Sequence, residues 1–385
     1  MKAMHFVCVE CGREFPLATR RWRCECGGVF ELSERPRFRP EAISEKIFSL
    51  WRYRAMLPDL KEPISLGEGW TPLVPAQASH REFLAKLEFF APSGSFKDRG
   101  TTVLVSFLKE LGVEAVVEDS SGNAAASLSA YCARAKIQCK IFVPAHASPA
   151  KLAQIRAYGA QLIPVEGPRE NASLAAQHAA ESSYYASHVY NPLILEGTKT
   201  LAYEVWEQLG GRAPEAMLFP TGHGTLLLGA YYGFRDLLDA GLIERMPALY
   251  AVQSQACAPL SRVFYENLSE LPDVPQGETI AEGIRIRRPV RWRAILKALR
   301  ETGGSVITVS DDEIIAAQRE LAHQGLYVEP TAAVAVAGLR DLVQTPHPHP
   351  HPHPLSPSRE RGARGVRGKG PIVIPLTGSG LKAQS

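Results

Sequence analysis

Alternation most restricts what this chain can fold into. Short β-rich runs lie at Phe83–Glu88, Ala115–Glu118, Lys140–Val143, Gln161–Val165, Ala216–Phe219, Ala248–Gln253 and Ile372–Leu376. Helical patterns separate them at Thr101–Leu111, Ala124–Ala135, Ala150–Tyr158, Thr200–Leu209 and Asp311–Gln324. Strands that alternate with helices pair in parallel and bury both faces of their sheet, so the expected fold class is α/β. At 385 residues and 45% hydrophobic content, the chain is long enough for two or three domains.

The N-terminus is different in kind. Cys8-x2-Cys11 and Cys24-x-Cys26 gather four of the seven cysteines, with Gly12 and Gly27-Gly28 just behind them. Paired thiols at such spacing read as metal ligands in an intracellular enzyme, and the glycines let the backbone wrap a tetrahedral ion. Zinc is expected at Cys8, Cys11, Cys24 and Cys26, although rubredoxin-like iron uses the same four thiolates. The competing account is a frayed terminus with structural cysteines. Residues 1–34 read as a compact ribbon in which Arg20-Arg21-Trp22-Arg23 forms a strand into the second knuckle. Arg35 to Pro40 reads as a linker, and Glu41 to Leu57 as a helix. Cys132, Cys139 and Cys257 look like small buried hydrophobes.

Residues 344–370 alternate Pro with His347, His349, His351 and His353 and continue into an Arg/Gly tract. Proline at every second position excludes helix and sheet, so a disordered insertion is expected, with metal chelation by the histidines as the alternative. Arg359, Arg361, Arg364, Arg367 and Lys369 against Glu360 outweigh the whole chain's formal charge of +3. The remainder is slightly acidic, which leaves no footprint for nucleic acid. Apolar runs fall short of membrane-spanning length, and no signal-peptide core follows Met1. A cytoplasmic protein is expected.

One lysine stands out. Pro92-Ser93-Gly94-Ser95-Phe96-Lys97-Asp98-Arg99-Gly100 places Lys97 between a small-residue turn and a helix start. A desolvated lysine is the usual Schiff-base nucleophile, although taken alone this stretch could be an ordinary surface cluster. Gly222-His223-Gly224-Thr225 follows the run Ala216–Phe219 and opens a helix; free N–H groups there suit a phosphate. A dinucleotide site would need a longer glycine fingerprint and an acid on the next strand. Ser120-Ser121-Gly122-Asn123 sits at another helix start, where free amides suit a carboxylate; a plain N-cap at Asn123 is the alternative.

These pieces come in a specific order. Gly67-Glu68-Gly69-Trp70-Thr71-Pro72-Leu73 precedes Lys97, and Asp119 to Ser127 follows it. Then come Asn191-Pro192, Glu196-Gly197-Thr198-Lys199-Thr200, Pro220 to Thr225, Thr279 to Ile286, Glu329-Pro330-Thr331 and Leu376-Thr377-Gly378-Ser379-Gly380. From about residue 64 onward the series resembles the threonine synthase family, pyridoxal-phosphate (PLP) enzymes of the tryptophan-synthase-β fold type II. The resemblance implies two parallel-sheet α/β domains with the site between them, a smaller one over 95–185 and a larger one over 35–94 and 186–385. It implies PLP on Lys97, its phosphate at Gly222, His223, Gly224 and Thr225, its 3′-oxygen on Asn123 and its pyridine nitrogen on Thr377. Ser120, Ser121 and Gly122 would hold the substrate carboxylate, and Glu329-Pro330 would line the ring edge. Lys86, Lys199 and Lys382 lack the small-residue turn and read as structural or charge-supporting.

The substrate side departs from the resemblance. The family grips the phosphate of O-phosphohomoserine with a Thr, a Ser and an Arg where this chain has Ala124, Val189 and Ile194, and His223 stands where Asn is usual. His188 and Arg285 are the substitutes in view. The expected function is a threonine synthase-like lyase acting on an α-amino acid by elimination or replacement. The alternatives are a serine/threonine dehydratase or β-replacement enzyme on an unphosphorylated amino acid, and a non-catalytic PLP-fold binding protein. The expected partners are a small amino-acid substrate and a second copy in a homodimer.

Overall fold

The computed structural model describes residues 4–147, 149–275, 277–343 and 370–382. The expected disordered insertion, except Gly370, lies outside the described residues. Three sheets organise the rest. The first is an antiparallel ribbon of β1 (His5–Cys8), β2 (Glu14–Pro16) and β3 (Phe30–Leu32), in the order β2-β1-β3. The expected strand Arg20–Arg23 is absent: the stretch is irregular, with bends at Trp22 and Arg23. Three arginines leave that stretch no apolar face to pair. Trp22 instead turns edge-on to Tyr185 and Tyr190, with ring centroids 5.5 and 4.7 Å away.

The ribbon does not stand apart. Phe6, Cys8, Cys24, Phe30 and Leu32 belong to the same buried cluster as Leu104, Val116, Leu128 and Ile141. Buried Arg291 adds polar ties, donating to the carbonyls of Phe30 (2.9 Å), Val189 (3.2 Å) and Tyr190 (2.9 Å) and pairing with Glu31. Beyond it, the expected helix Glu41–Leu57 is two 3-10 segments, Pro40–Ala42 and Leu50–Met56. Leu50, Trp51, Tyr53 and Met56 are all buried, a spacing that no single α-helical stripe satisfies.

The second sheet has the order β12-β11-β10-β13-β5-β4. Its strands are β4 (Leu73–Ala78), β5 (Arg81–Lys86), β10 (Ala216–Pro220), β11 (Ala248–Ser254), β12 (Val306–Val309) and β13 (Ile372–Pro375). All neighbours are parallel except β4 and β5, which form a hairpin. Its loop residues Ser79 and His80 have φ of 50° and 59°, the left-handed pair that matches strand twist. Central strands are covered on both faces, and Leu218, Phe219, Ala251, Val373 and Ile374 are all buried. The third sheet is all parallel: β8 (Gln161–Val165), β7 (Gln138–Pro144), β6 (Ala115–Glu118) and β9 (Tyr184–Tyr185).

Ten α-helices accompany them among the described residues: α1 (Lys97–Glu110), α2 (Asn123–Ala135), α3 (Pro149–Ala157), α4 (Arg169–Ala179), α5 (Leu193–Gln208), α6 (Thr225–Asp239), α7 (Pro259–Glu266), α8 (Trp292–Glu301), α9 (Asp311–Ala322) and α10 (Pro330–Ala337). None is long and apolar enough to cross a membrane. The chain leaves the six-stranded sheet after β5, builds the four-stranded one and returns along α5. That return helix packs at backbone distance on both neighbours. A Cβ on Gly197 would fall 1.8 Å from the carbonyl oxygen of Arg99 in α1, and one on Gly229 in α6 would fall 2.2 Å from Thr198 Oγ1. Glycine at these two positions is what lets α1 and α6 each pack closely on α5.

A buried ionic cluster fixes the start of α1. Arg99 donates to both oxygens of Glu88 (2.6 and 2.7 Å) and of Glu204 (2.6 and 2.8 Å), while Lys86 Nζ donates to Glu204 at 2.8 Å and to the Thr71 carbonyl at 2.6 Å. Two cations meet two carboxylates, so the cluster is neutral. Burial alone would raise the carboxyl of Glu204, but Arg99 and Lys86 outweigh it and lower the group to about 2. Its contribution is therefore complete above its ordinary 4.5 and is lost as pH falls through about 2. Glu204→Gln leaves Arg99 and Lys86 with one carboxylate fewer. We expect it to cost on the order of 3–5 kcal/mol at pH 7, measured as a fall in the thermal or urea unfolding midpoint; an unchanged midpoint would contradict the role assigned to the cluster.

Candidate active site

Lys97 is the first residue of α1. The turn before it is fastened to the segment after β13: Phe96 N–H donates to the Thr377 carbonyl (3.0 Å), Ser379 N–H to that of Gly94 (3.0 Å), and Ser95 pairs with Gly378. Gly94 takes φ 81°, which a Cβ would strain. Asp98 closes the turn by accepting from Ser93 N–H (2.7 Å) and Ser93 Oγ (2.5 Å). Burial lowers the Lys97 amine to about 8 against the opposing charges of Glu118 and Glu329. That value suits an amine that must spend part of its time unprotonated.

Thr377 Oγ1, Ser95 Oγ and His223 Nδ1 are buried without a hydrogen-bond partner among the described residues. Buried polar atoms are seldom left so, and all three belong to segments around Lys97. Asn123, the first residue of α2, donates its amide to both oxygens of Glu329, at 2.9 and 3.1 Å. Glu329 in turn fills the space over Gly378, where a Cβ would lie 2.2 Å from its Oε1. Lys97, Asn123, Glu329 and Thr377 thus converge. Lys86 pairs with Glu204 and Lys199 with Glu196 (2.7 Å), while Lys382 donates to the Ser93 carbonyl (2.8 Å) of the turn before Lys97.

Two helix starts open nearby, and no side chain caps either. Gly222, His223, Gly224 and Thr225 lead from β10 into α6, whose N-cap Gly224 has φ 72°. Ser120, Ser121 and Gly122 lead from β6 into α2, with Gly122 as its N-cap. Free N–H groups at both starts suit anions. Thr377 Oγ1 and the α6 start have the donors to hold a pyridine ring and its phosphate, so the residues present fit PLP.

The end of β6 holds a group that motif reading passed over. Glu118, the last residue of β6, is buried and meets His188 Nδ1 at 2.5 Å. Its other oxygen accepts from Ser120 N–H at 2.8 Å and from Asp119 N–H. Tyr185 OH donates to Asp119 at 2.6 Å. The His188 and His223 rings stand 6.0 Å apart. Burial first, then the charge of Lys97, pushes the His188 imidazole well below its ordinary range; burial and His188 do the same to His223. The legible signal was an acid ending an apolar strand just before a glycine turn. Ala124, Val189 and Ile194 are buried, and Ile194 packs against Gly100. Arg285 lies in the segment Gly283 to Ile286, which packs against Gly222, and its charge acts on Cys257.

The four cysteines of the ribbon meet. Their sulfurs lie within 4.8 Å of one another, with Cys8–Cys26 at 3.5 Å and Cys11–Cys24 at 3.6 Å. Tetrahedral coordination with metal–sulfur bonds of about 2.3 Å needs sulfurs roughly 3.8 Å apart, so this group could hold a metal ion. Cys132, Cys139 and Cys257 are free and buried, as expected.

Comparison with known proteins agrees with this geometry. The profile of the pyridoxal-phosphate dependent enzyme family matches residues 64–351. The threonine synthase of Methanocaldococcus jannaschii is 35% identical over 352 residues, covering 88% of this chain and 87% of that one. That of Mycobacterium tuberculosis is 34% identical over 344 residues, covering 87% and 88%. Among solved structures, a threonine deaminase from T.th. superposes with TM-score 0.61 at 23% identity, covering 80% of this chain and 92% of that one. Maize serine racemase superposes with TM-score 0.65 at 20% identity, covering 80% and 88%. At such identity these two speak for the fold. The cysteine geometry leads us to expect one metal ion per chain, retained on gel filtration and lost in a Cys8→Ser/Cys24→Ser variant by elemental analysis. Metal that persists in the variant would place the site elsewhere.

Proposed function

We propose a function for a chain that belongs to the pyridoxal-phosphate-dependent enzyme family and is a threonine synthase-like lyase: it acts on an unphosphorylated α-amino acid. The Glu118–His188 contact carries this proposal. The histidine adjoining Val189, a candidate substitute for the family's phosphate grip, already has its Nδ1 on a buried carboxylate. A phosphate brought to His188 would find its Nδ1 already taken by Glu118, where the family offers a hydroxyl and a guanidinium. Ala124, Val189 and Ile194 add no donors. Each missing charge-assisted hydrogen bond costs on the order of 1.5–3 kcal/mol.

The residues then divide the work. Lys97 holds the cofactor and, once released, moves the proton at the substrate's α-carbon. Gly222, His223, Gly224 and Thr225 hold the cofactor phosphate, Thr377 the ring nitrogen, and Asn123, released from Glu329, the ring oxygen. The α2 start at Ser120, Ser121 and Gly122 binds the substrate carboxylate. Bound PLP supplies an electron sink for bonds at the α-carbon, and a neutral hydroxyl at its ring nitrogen keeps that sink weaker than a carboxylate would. Zinc at Cys8, Cys11, Cys24 and Cys26 is structural, because four thiolates leave no open position. A cytoplasmic homodimer completes the proposal.

Arg169, exposed at the start of α4 with a charge that reaches His188 and His223, favours a relocated phosphate grip as the second reading. One set of measurements decides. We expect yellow protein whose borohydride-fixed label maps to Lys97, and no chromophore in Lys97→Ala. With O-phosphohomoserine we expect turnover orders of magnitude below that with serine, threonine or homoserine. Efficient phosphate release that falls in Arg169→Ala would establish the relocated grip instead.

A further inference from the structure

Glu118 and His188 are more than an obstacle to phosphate. A histidine with one ring nitrogen fixed on a buried carboxylate keeps a set tautomer and orientation and presents the other nitrogen for proton transfer. His188 Nδ1 is the fixed atom, so Nε2 is the working one. Glu118 is itself held by Ser120 N–H and Asp119 N–H, the residues that lead into the α2 start. The dyad is therefore built into the wall that receives the substrate carboxylate. Lys97 lies within electrostatic reach, and the His223 ring is 6.0 Å away. The structure offers no need for this dyad in holding the cofactor, and besides Glu118 the charges that act on His188 are those of Lys97, Asp119 and Arg169.

We propose that His188, positioned by Glu118, is the acid–base residue for a hydroxyl on the β-carbon of the substrate, which makes the preferred substrate a β-hydroxy-α-amino acid. This rests on the unphosphorylated-substrate proposal above. In the elimination step Lys97 Nζ takes the α-proton, and the electron pair of that C–H bond becomes the Cα=Cβ bond. The Cβ–O bond breaks with its pair on oxygen, which takes the Nε2 proton of the His188 imidazolium, formed when the ammonium proton of Lys97 passes to it, and leaves as water. Each turnover leaves Lys97 one proton richer and His188 one poorer, and a single proton passed between them restores both. The charges cooperate in this. After burial, the charge of Lys97 is what most opposes a proton on His188. The unprotonated Lys97 needed to accept the α-proton is also the form that lifts this opposition, while Glu118 at 2.5 Å favours the imidazolium.

The test separates leaving groups. Hydroxide needs a proton in order to depart; chloride does not. We expect His188→Gln holoenzyme to lose at least about 100-fold in kcat with L-serine, the usual weight of general acid catalysis, and less than about threefold with β-chloro-L-alanine. Glu118→Gln should show the same split at roughly tenfold, with a displaced His188 Nδ1 signal in nitrogen-15 NMR of the holoenzyme. Retained chloroalanine turnover shows that the variants are folded. An equal fall with both substrates, or an Nδ1 signal indifferent to Glu118→Gln, overturns the dyad's role and leaves the substrate class standing. Wild-type enzyme that turns over chloroalanine and O-phosphohomoserine but neither serine nor threonine overturns the substrate class and the dyad's role together.

Discussion

Everything near Lys97 depends on one guanidinium. Arg99 is wholly buried two residues beyond Lys97, and it is gripped by two carboxylates from different parts of the chain. Glu88 comes from the turn after β5 and Glu204 from α5, so one side chain locks the start of α1 to the six-stranded sheet and to the returning helix. A planar fork suits this, because each carboxylate can be met by two parallel N–H groups. Lysine in that place would give a single point of contact and leave oxygens unpaired. The lysine that is present, Lys86, takes the remaining side of Glu204 and ties it to the Thr71 carbonyl. Desolvation makes such a cluster a poor source of net stability, but it sets geometry sharply, since any misplacement leaves a charge alone.

The site is assembled from ends. Lys97, Asn123 and Thr225 each begin a helix, and Glu118 ends a strand. Parallel sheets put such ends in the same crevice, where exposed N–H groups concentrate positive potential. The anion positions inferred for cofactor phosphate and substrate carboxylate both use this resource. Side chains then supply what amides cannot: the amine of Lys97, the hydroxyl of Thr377, and an imidazole set by a carboxylate.

Legibility in the sequence follows the range of the interaction. β6 and β8 are readable to the residue and α2 nearly so, because β-branched runs and alanine-rich patterns are local properties. The small-residue turn before Lys97 is legible for the same reason. The segment 41–57 reads falsely as an α-helix since its apolar residues answer to partners in α5 and α1, and the stretch Arg20–Arg23 reads falsely as a strand where only Trp22 has something to bury. The contacts of Asn123 with Glu329 and of His188 with Glu118 join residues 206 and 70 positions apart. Motifs name such residues singly; only the folded chain pairs them.

The buried ionic cluster and the apolar residues at 124, 189 and 194 differ in how they can be inherited. Glu88, Arg99 and Glu204 answer to one another, so any single exchange strands a charge in the interior, and an ancestor could leave that arrangement only by changing several codons at once. Ala124, Val189 and Ile194 carry no polar partner that a neighbour must answer, so each can be exchanged at the cost of packing alone. A lineage on this scaffold can therefore wander in substrate preference while its lysine stays where it is.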